Sequence, residues 1–240
     1  MEKTRLIDFD GAIAIILSFV GGILDVYCLF SYNVYATMHT GNVIKLAIGV
    51  IDGNLTLVLI TLFMLLAFAI GLVFVNFYEK RVKRGDKGLL ILCIVFLIAA
   101  TFVPHDTDPG TLSVVKMISA ALFGFEGSFL IHSFIKFGKY SYSSTTMTAN
   151  INKLITNVYD RATTKDKSKN YSIMIYTLII LFFLIGVGGG YAFLKFLPKI
   201  DDGFFALYEY NFLLIIPIIC TSVVLWLTIL KNKKKIETRN

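Results

Sequence analysis

Charge is scarce in this chain. Asp, Glu, Lys and Arg make up 16% of its 240 residues, against about 25% in an ordinary globular protein. With 56% hydrophobic residues and a mean hydropathy of +0.74, it has too little polar surface to cover a water-soluble core. Cysteine is equally sparse. The three present (Cys28, Cys93 and Cys220) are odd in number, form no CxxC pair and lie in apolar runs, which excludes a secreted disulfide scaffold. Three dispersed histidines give no cluster at metal-ligand spacing, so neither a metal nor a cofactor is expected. A GxxxxGK(S/T) phosphate loop, HExxH and GxSxG are all missing, and with them the usual signs of ATP-driven work or of an enzyme.

What the chain does hold is long apolar runs. A helix crossing about 30 Å of hydrocarbon needs about 20 apolar residues. Six stretches qualify or nearly so: 11–32, 55–78, 88–104, 111–135, 171–195 and 211–230. The first is read as a span and not as a signal peptide, because Asp25 interrupts it and no small-x-small cleavage site follows. Pro217 is expected to kink the last. The class is an integral membrane protein with six spans.

Lysine and arginine set its orientation. Segments 1–10, 79–87, 136–170 and 231–240 hold nineteen of the 23, while the alternate connections 33–53, 105–110 and 195–210 hold three. That asymmetry fits a multi-pass protein of the cell membrane with both termini cytoplasmic. The net charge of +7 then has its source in loops beside anionic lipids, where each cation gains about 1 kcal/mol. Nucleic-acid binding is not expected, since no groove-reading motif accompanies the charge. Lys116, five residues into its span, should snorkel to the interface, and His132 should lie at one too.

The stretch 33–53 is too polar to span and too apolar for a plain loop. Its apolar end, Asn42 to Ile51, reads as a half-helix reaching partway across the membrane. A similar piece follows the fourth span: Thr40, Asn42, Lys45 and Leu46 recur as Thr148, Asn150, Lys153 and Leu154. Each copy follows the first span of a set of three, and three is odd. The second set must therefore cross in the opposite sense, the mark of inverted repeats. The expected fold is all-α: a single membrane domain over 1–240, with repeat 1 at about 11–104 and repeat 2 at about 111–230. Each repeat carries a short half-helix after a broken first span.

The runs Gly21-Gly22-Ile23-Leu24-Asp25 and His39-Thr40-Gly41-Asn42 resemble the signature of the YoaK-like family of bacterial integral membrane proteins. Gly124-Phe125-Glu126 and the Thr-rich segment Ser144 to Asn150 resemble its second-half pattern. The resemblance covers about residues 10 to 230. It implies the membrane architecture, in a bacterial inner membrane, and names no substrate.

Polar groups at membrane depth are the candidate site. Charges inside spans usually face a cavity or a partner. Asp25 falls about 5 Å to the outer side of its span's midpoint and Glu126 about 4.5 Å to the inner side of its own, at 1.5 Å per residue. The two are thus expected close enough to share a cavity. Either could carry a proton reversibly, or could be structural, bonded to a neighbouring helix. Thr40 and Thr148 are expected as N-caps of the half-helices, whose positive ends would face a substrate. Gly41 permits close approach. Asn42 and Asn150 offer donors and acceptors, and His39 could titrate near neutrality. Gly186 and Gly190 form a small-xxx-small packing surface; Tyr191 takes the third glycine position of a dinucleotide fingerprint, which excludes one.

The expected function is a small secondary transporter or exporter with a midplane site for an unknown small molecule or ion. The alternative is a non-transporting scaffold or lipid-interacting protein. The bilayer is the expected partner, with a homodimer permitted.

Overall fold

In the computed structural model, the described residues are 7–82, 86–104, 113–133, 136–137, 140–143, 146–196 and 204–237. Eight α-helices appear in chain order: α1 (Phe9–Tyr32), α2 (His39–Ile51), α3 (Leu55–Arg81), α4 (Asp86–Thr101), α5 (Val114–Ser133), α6 (Met147–Thr164), α7 (Lys169–Phe196) and α8 (Ile215–Glu237). A two-residue hairpin lies between α5 and α6, in which β1 (Lys136–Phe137) pairs antiparallel with β2 (Tyr140–Ser141). A 3-10 segment, Phe204–Leu214, precedes α8. The connection 105–110 and residues Ser144 and Thr145 lie outside the described residues, as does the side chain of His132.

Five helical stretches are long and apolar enough to cross a membrane: Phe9–Tyr32, Leu55–Arg81, Val114–Ile131, Lys169–Phe196 and Tyr208–Lys233. The sixth expected crossing corresponds to α4, which is shorter at 16 residues. α1 is by itself an unbroken candidate span that ends at Tyr32, and a six-residue lead-in carries the chain to the short helix α2. Asn33 stops α1 by taking a left-handed conformation (φ 56°), its N–H returning to Leu29 O at 3.1 Å. α6, by contrast, is no half-length helix. It runs 18 residues, about 27 Å at 1.5 Å per residue, because polar residues extend it beyond its apolar part. Pro217 lies inside the span Tyr208–Lys233, at the third position of α8, where the 3-10 segment gives way to α-helix.

The long helices pack in two principal pairs. α1 lies along α7, and α5 lies along α3; α2 rests on α3, and α6 on α7. α4 and α8 pack on each other, α8 also on α1 and α4 also on α5. Exchanging α1 with α5, α2 with α6, α3 with α7 and α4 with α8 maps this set of contacts onto itself. Glycines make both principal seams close. A Cβ at Gly22 would come 2.4 Å from Phe183 O, and one at Gly186 2.4 Å from Phe19 O. In the other pair, a Cβ at Gly124 would meet Met64 O at 2.3 Å, and one at Gly71 would meet Ser128 Oγ at 2.2 Å. Gly186 and Gly190 do form a packing surface, Gly190 facing Val26. Close backbone approach of this kind gives helices dispersion contact that lipid tails cannot supply.

Polar ties mark the two ends of the bundle. At one, Asp8 caps α1 by accepting from Gly11 N–H (2.7 Å) and also accepts from Tyr171 Oη (2.6 Å). Lys231 of α8 pairs there with Asp10, and Lys169 with Asp160 at 2.9 Å. At the other, Tyr27 Oη donates to Asn211 Oδ1 (2.5 Å), whose Nδ2 donates to Thr101 O (3.1 Å) and Val103 O (2.8 Å). Lys116 does not snorkel: its side chain is buried, 2% exposed.

Candidate functional site

The lead-ins to α2 and α6 are held by the same device. Asn42 Nδ2 donates to Tyr35 O (2.6 Å), and Tyr35 N–H donates to Asn42 Oδ1 (2.8 Å). Asn150 Nδ2 donates to Ser143 O (2.5 Å), and Ser143 N–H donates to Asn150 Oδ1 (3.0 Å). In each case the amide grips the backbone seven residues upstream, as another strand would. The lysines repeat the match twelve residues upstream. Lys45 donates to Asn33 Oδ1, and Lys153 to Ser141 O (2.9 Å) and Ser141 Oγ (2.8 Å). Asn42, Asn150 and Lys153 therefore hold backbone in place, while Lys45 holds the Asn33 side chain.

Asp25 does comparable work for the first lead-in alone. Its carboxylate, 3% exposed, accepts from Thr37 N–H (2.8 Å) and from Thr37 Oγ1 (2.7 Å). Irregular backbone at membrane depth must find its hydrogen bonds within the protein, and Asp25 supplies two acceptors there. Gly127 lets this lead-in press against α5: a Cβ would stand 2.3 Å from Ala36 O.

Between the two lead-ins lies a cavity of about 560 Å³ lined by Thr37 to Gly41, Thr146 to Thr148, Phe68, Ile131 and Phe183. Phe68 is the middle residue of α3, and Phe183 falls at the middle of α7, so the cavity lies midway along these two helices. The first residues of α2 and of α6 line it. Neither has a side-chain cap: the N-cap positions are Met38 and Thr146, with no capping hydrogen bond. This corrects the expected role of Thr40 and Thr148. Because the helices begin at His39 and Met147, both threonines fall second in their helices, where their hydroxyls face the cavity and cap nothing.

The expected site residues thus divide. His39, Thr40, Gly41 and Thr148 line the cavity together. His39 stacks on Phe68, with ring centroids 3.5 Å apart and planes 28° apart, and its buried nitrogens have no hydrogen-bond partner among the described residues. Gly41 abuts the Tyr35 ring, 2.9 Å from a built Cβ. Asn42 and Asn150 do not line the cavity; their amides are taken up by backbone. Asp25 and Glu126 do not line it either, so the carboxyl-lined shared pocket is not what forms. Glu126 is 1% exposed, and neither of its oxygens has a partner among the described residues.

Thr37, Met38, Thr146 and Met147 flank the recurring elements, and that adjacency is the one sequence signal that could have found them. Nothing distinguishes Phe68 and Phe183 from the other apolar residues of their spans.

The lining combines five hydroxyl or imidazole side chains with methionine, phenylalanine and isoleucine, and holds no Asp, Glu, Lys or Arg among the described residues. Such a wall can orient a small polar or amphipathic molecule by hydrogen bonds and by two helix N-termini.

These features define a helical membrane protein with a partly open cavity of mixed polar and apolar lining. Residues 13–224 match the model of the family described as protein of unknown function (DUF1275), and the chain belongs to that family, in keeping with its YoaK-like signature. No curated protein and no solved structure matches it.

Proposed function

We propose that this protein is a small secondary carrier whose substrate site is the half-depth cavity between the N-termini of α2 and α6. In this reading α4 is a sixth crossing, about 24 Å long at 1.5 Å per residue and accommodated by local thinning of the bilayer. The chain then forms two three-span halves of opposite sense, with both termini in the cytoplasm as the lysine and arginine distribution favours. The exchange symmetry of the helix contacts supports the repeat, and so do the matched Asn42 and Asn150 clamps. The protein is a carrier and not an enzyme, binding a small molecule or ion without altering it.

The single observation that carries the reading is the position of the cavity. Carriers built from inverted repeats hold their substrate near the midplane, where broken helices meet. The test is uptake from a broad metabolite mixture into proteoliposomes, comparing the wild type with Thr148→Trp, which fills the cavity from a residue already facing it. The wild type accumulates at least one compound, and Thr148→Trp does not while keeping its thermal stability. A folded wild type that moves nothing, with or without an imposed pH gradient, defeats the proposal. The scaffold alternative draws support from Asn42, Asn150 and Asp25, whose polar groups are all engaged by backbone, and it predicts that negative result.

A further inference from the structure

Glu126 lies on α5 beside the lead-in of α2 yet serves neither the cavity nor the broken backbone. It is 1% exposed, and both carboxyl oxygens are buried without a hydrogen-bond partner among the described residues. Its surroundings are apolar. Phe125 and Phe129, flanking it on α5, pack edge to face with centroids 5.1 Å apart. Phe74 of α3 and Phe96 of α4 close on the same pair at 5.0 to 6.2 Å.

The titratable groups on the elements packed around α5 can be named. α4 contributes Cys93, whose thiol is a weak donor beside the Glu126 carboxyl. α3 contributes Tyr78, packed among the same aromatic rings. α1 contributes Tyr27 and Cys28, both buried, and Asp25, whose oxygens are held by Thr37. His39 at the start of α2 approaches the neighbouring Gly127, its Nε2 3.4 Å from a built Cβ. No Lys or Arg stands among them. Lys116 is ten residues back on α5, about 15 Å along the helix axis.

A buried carboxylate with no cation beside it and only a thiol for a donor is strongly disfavoured, whereas the neutral acid is tolerated. Asp25 differs in its partners: the N–H and the hydroxyl of Thr37 both donate to its oxygens.

We propose that Glu126 is the proton-binding group of this protein, held as the neutral acid in this conformation, and that Asp25 is a positioning residue. Release breaks the Glu126 O–H bond, leaves a carboxylate and passes the proton to water. It therefore requires a conformation in which water or a donor reaches Glu126. Protonation in this conformation stands by itself; coupling of the proton to solute movement rests on the carrier reading above.

Infrared spectroscopy of the whole protein in liposomes tests the first part without any substrate. At neutral pH the wild type shows the carbonyl stretch of a protonated carboxylic acid; Glu126→Gln loses it and Asp25→Asn keeps it. A second measurement needs no variant: dicyclohexylcarbodiimide adds to protonated carboxyls in apolar surroundings, and peptide mass spectrometry places the adduct on Glu126. A carbonyl band that survives Glu126→Gln, or an adduct on Asp25 and none on Glu126, overturns the assignment.

The second part is read from transport. Glu126→Gln abolishes accumulation driven by a pH gradient but preserves solute exchange. Proton-driven accumulation that persists in Glu126→Gln refutes the coupling. A wild type that carries nothing but shows the Glu126 band refutes the carrier reading and the coupling together, and leaves the protonation standing.

Discussion

Asn42 and Asn150 stand 108 positions apart and make the same pair of hydrogen bonds, each to the backbone of the residue seven positions upstream. Each amide satisfies one donor and one acceptor of a lead-in that neither helix nor sheet could pair.

Removing either amide should therefore have a similar cost. Asn42→Ala and Asn150→Ala each leave one backbone N–H and one C=O unpaired, at about 1–3 kcal/mol per group. Thermal unfolding of the purified variants in detergent measures this. A large loss for one and none for the other would show that the two clamps are not equivalent in energy.

Asp25 and Thr37 should behave as a coupled pair. Asp25→Ala strands the Thr37 N–H, and Thr37→Val removes the hydroxyl that donates to the second oxygen. A double-mutant cycle should give a coupling of about 0.5–3 kcal/mol, the range for directly contacting residues. Additive losses would separate Asp25 from the lead-in.

The glycine seams offer a test with internal controls. Gly22→Ala and Gly186→Ala drive a methyl group against carbonyl oxygens 2.4 Å away, and backbone cannot yield as a side-chain tip can. Each should destabilise by about 1–3 kcal/mol, as overpacking does. Gly188 and Gly189, on the same helix, have nothing within 4 Å of a built Cβ. Alanine there should be neutral or stabilising by up to about 1 kcal/mol, from helix propensity. The melting temperatures of the four variants decide the matter.

The ion pair between Lys231 and Asp10 should matter little. Both side chains are partly exposed, at 44% and 25%, so water and salt screen the attraction. Lys231→Ala should lower stability by under about 1 kcal/mol, and less at high salt. Titration of melting temperature against sodium chloride reads both.

Much of this architecture was visible in the chain. The apolar runs gave five helices long enough to cross a membrane, since apolar residues in sufficient length have few other stable arrangements in lipid. The recurrence of Thr, Asn, Lys and Leu pointed to two related breaks, and the breaks are there. Which role each residue takes was less legible. Asn42 and Asn150 looked available to a ligand because an amide can bond to anything polar; only the fold shows backbone already in that place. Thr40 and Thr148 looked like caps because capping depends on where a helix starts, and helix ends shift by a residue or two with the surrounding packing.

Alone, the sequence determined that this chain belongs in lipid, because its polar residues are too few to meet water over a folded surface. It also determined where the crossings break, because a half-polar stretch between apolar runs cannot span. Only the tertiary structure decided that the two lead-ins line one cavity, and that Asp25 holds backbone while the Glu126 carboxyl bonds to none of it among the described residues. Those outcomes depend on which helices lie side by side, and close contact between α1 and α7 or between α3 and α5 joins residues more than fifty positions apart. Local pattern carries no record of that distance.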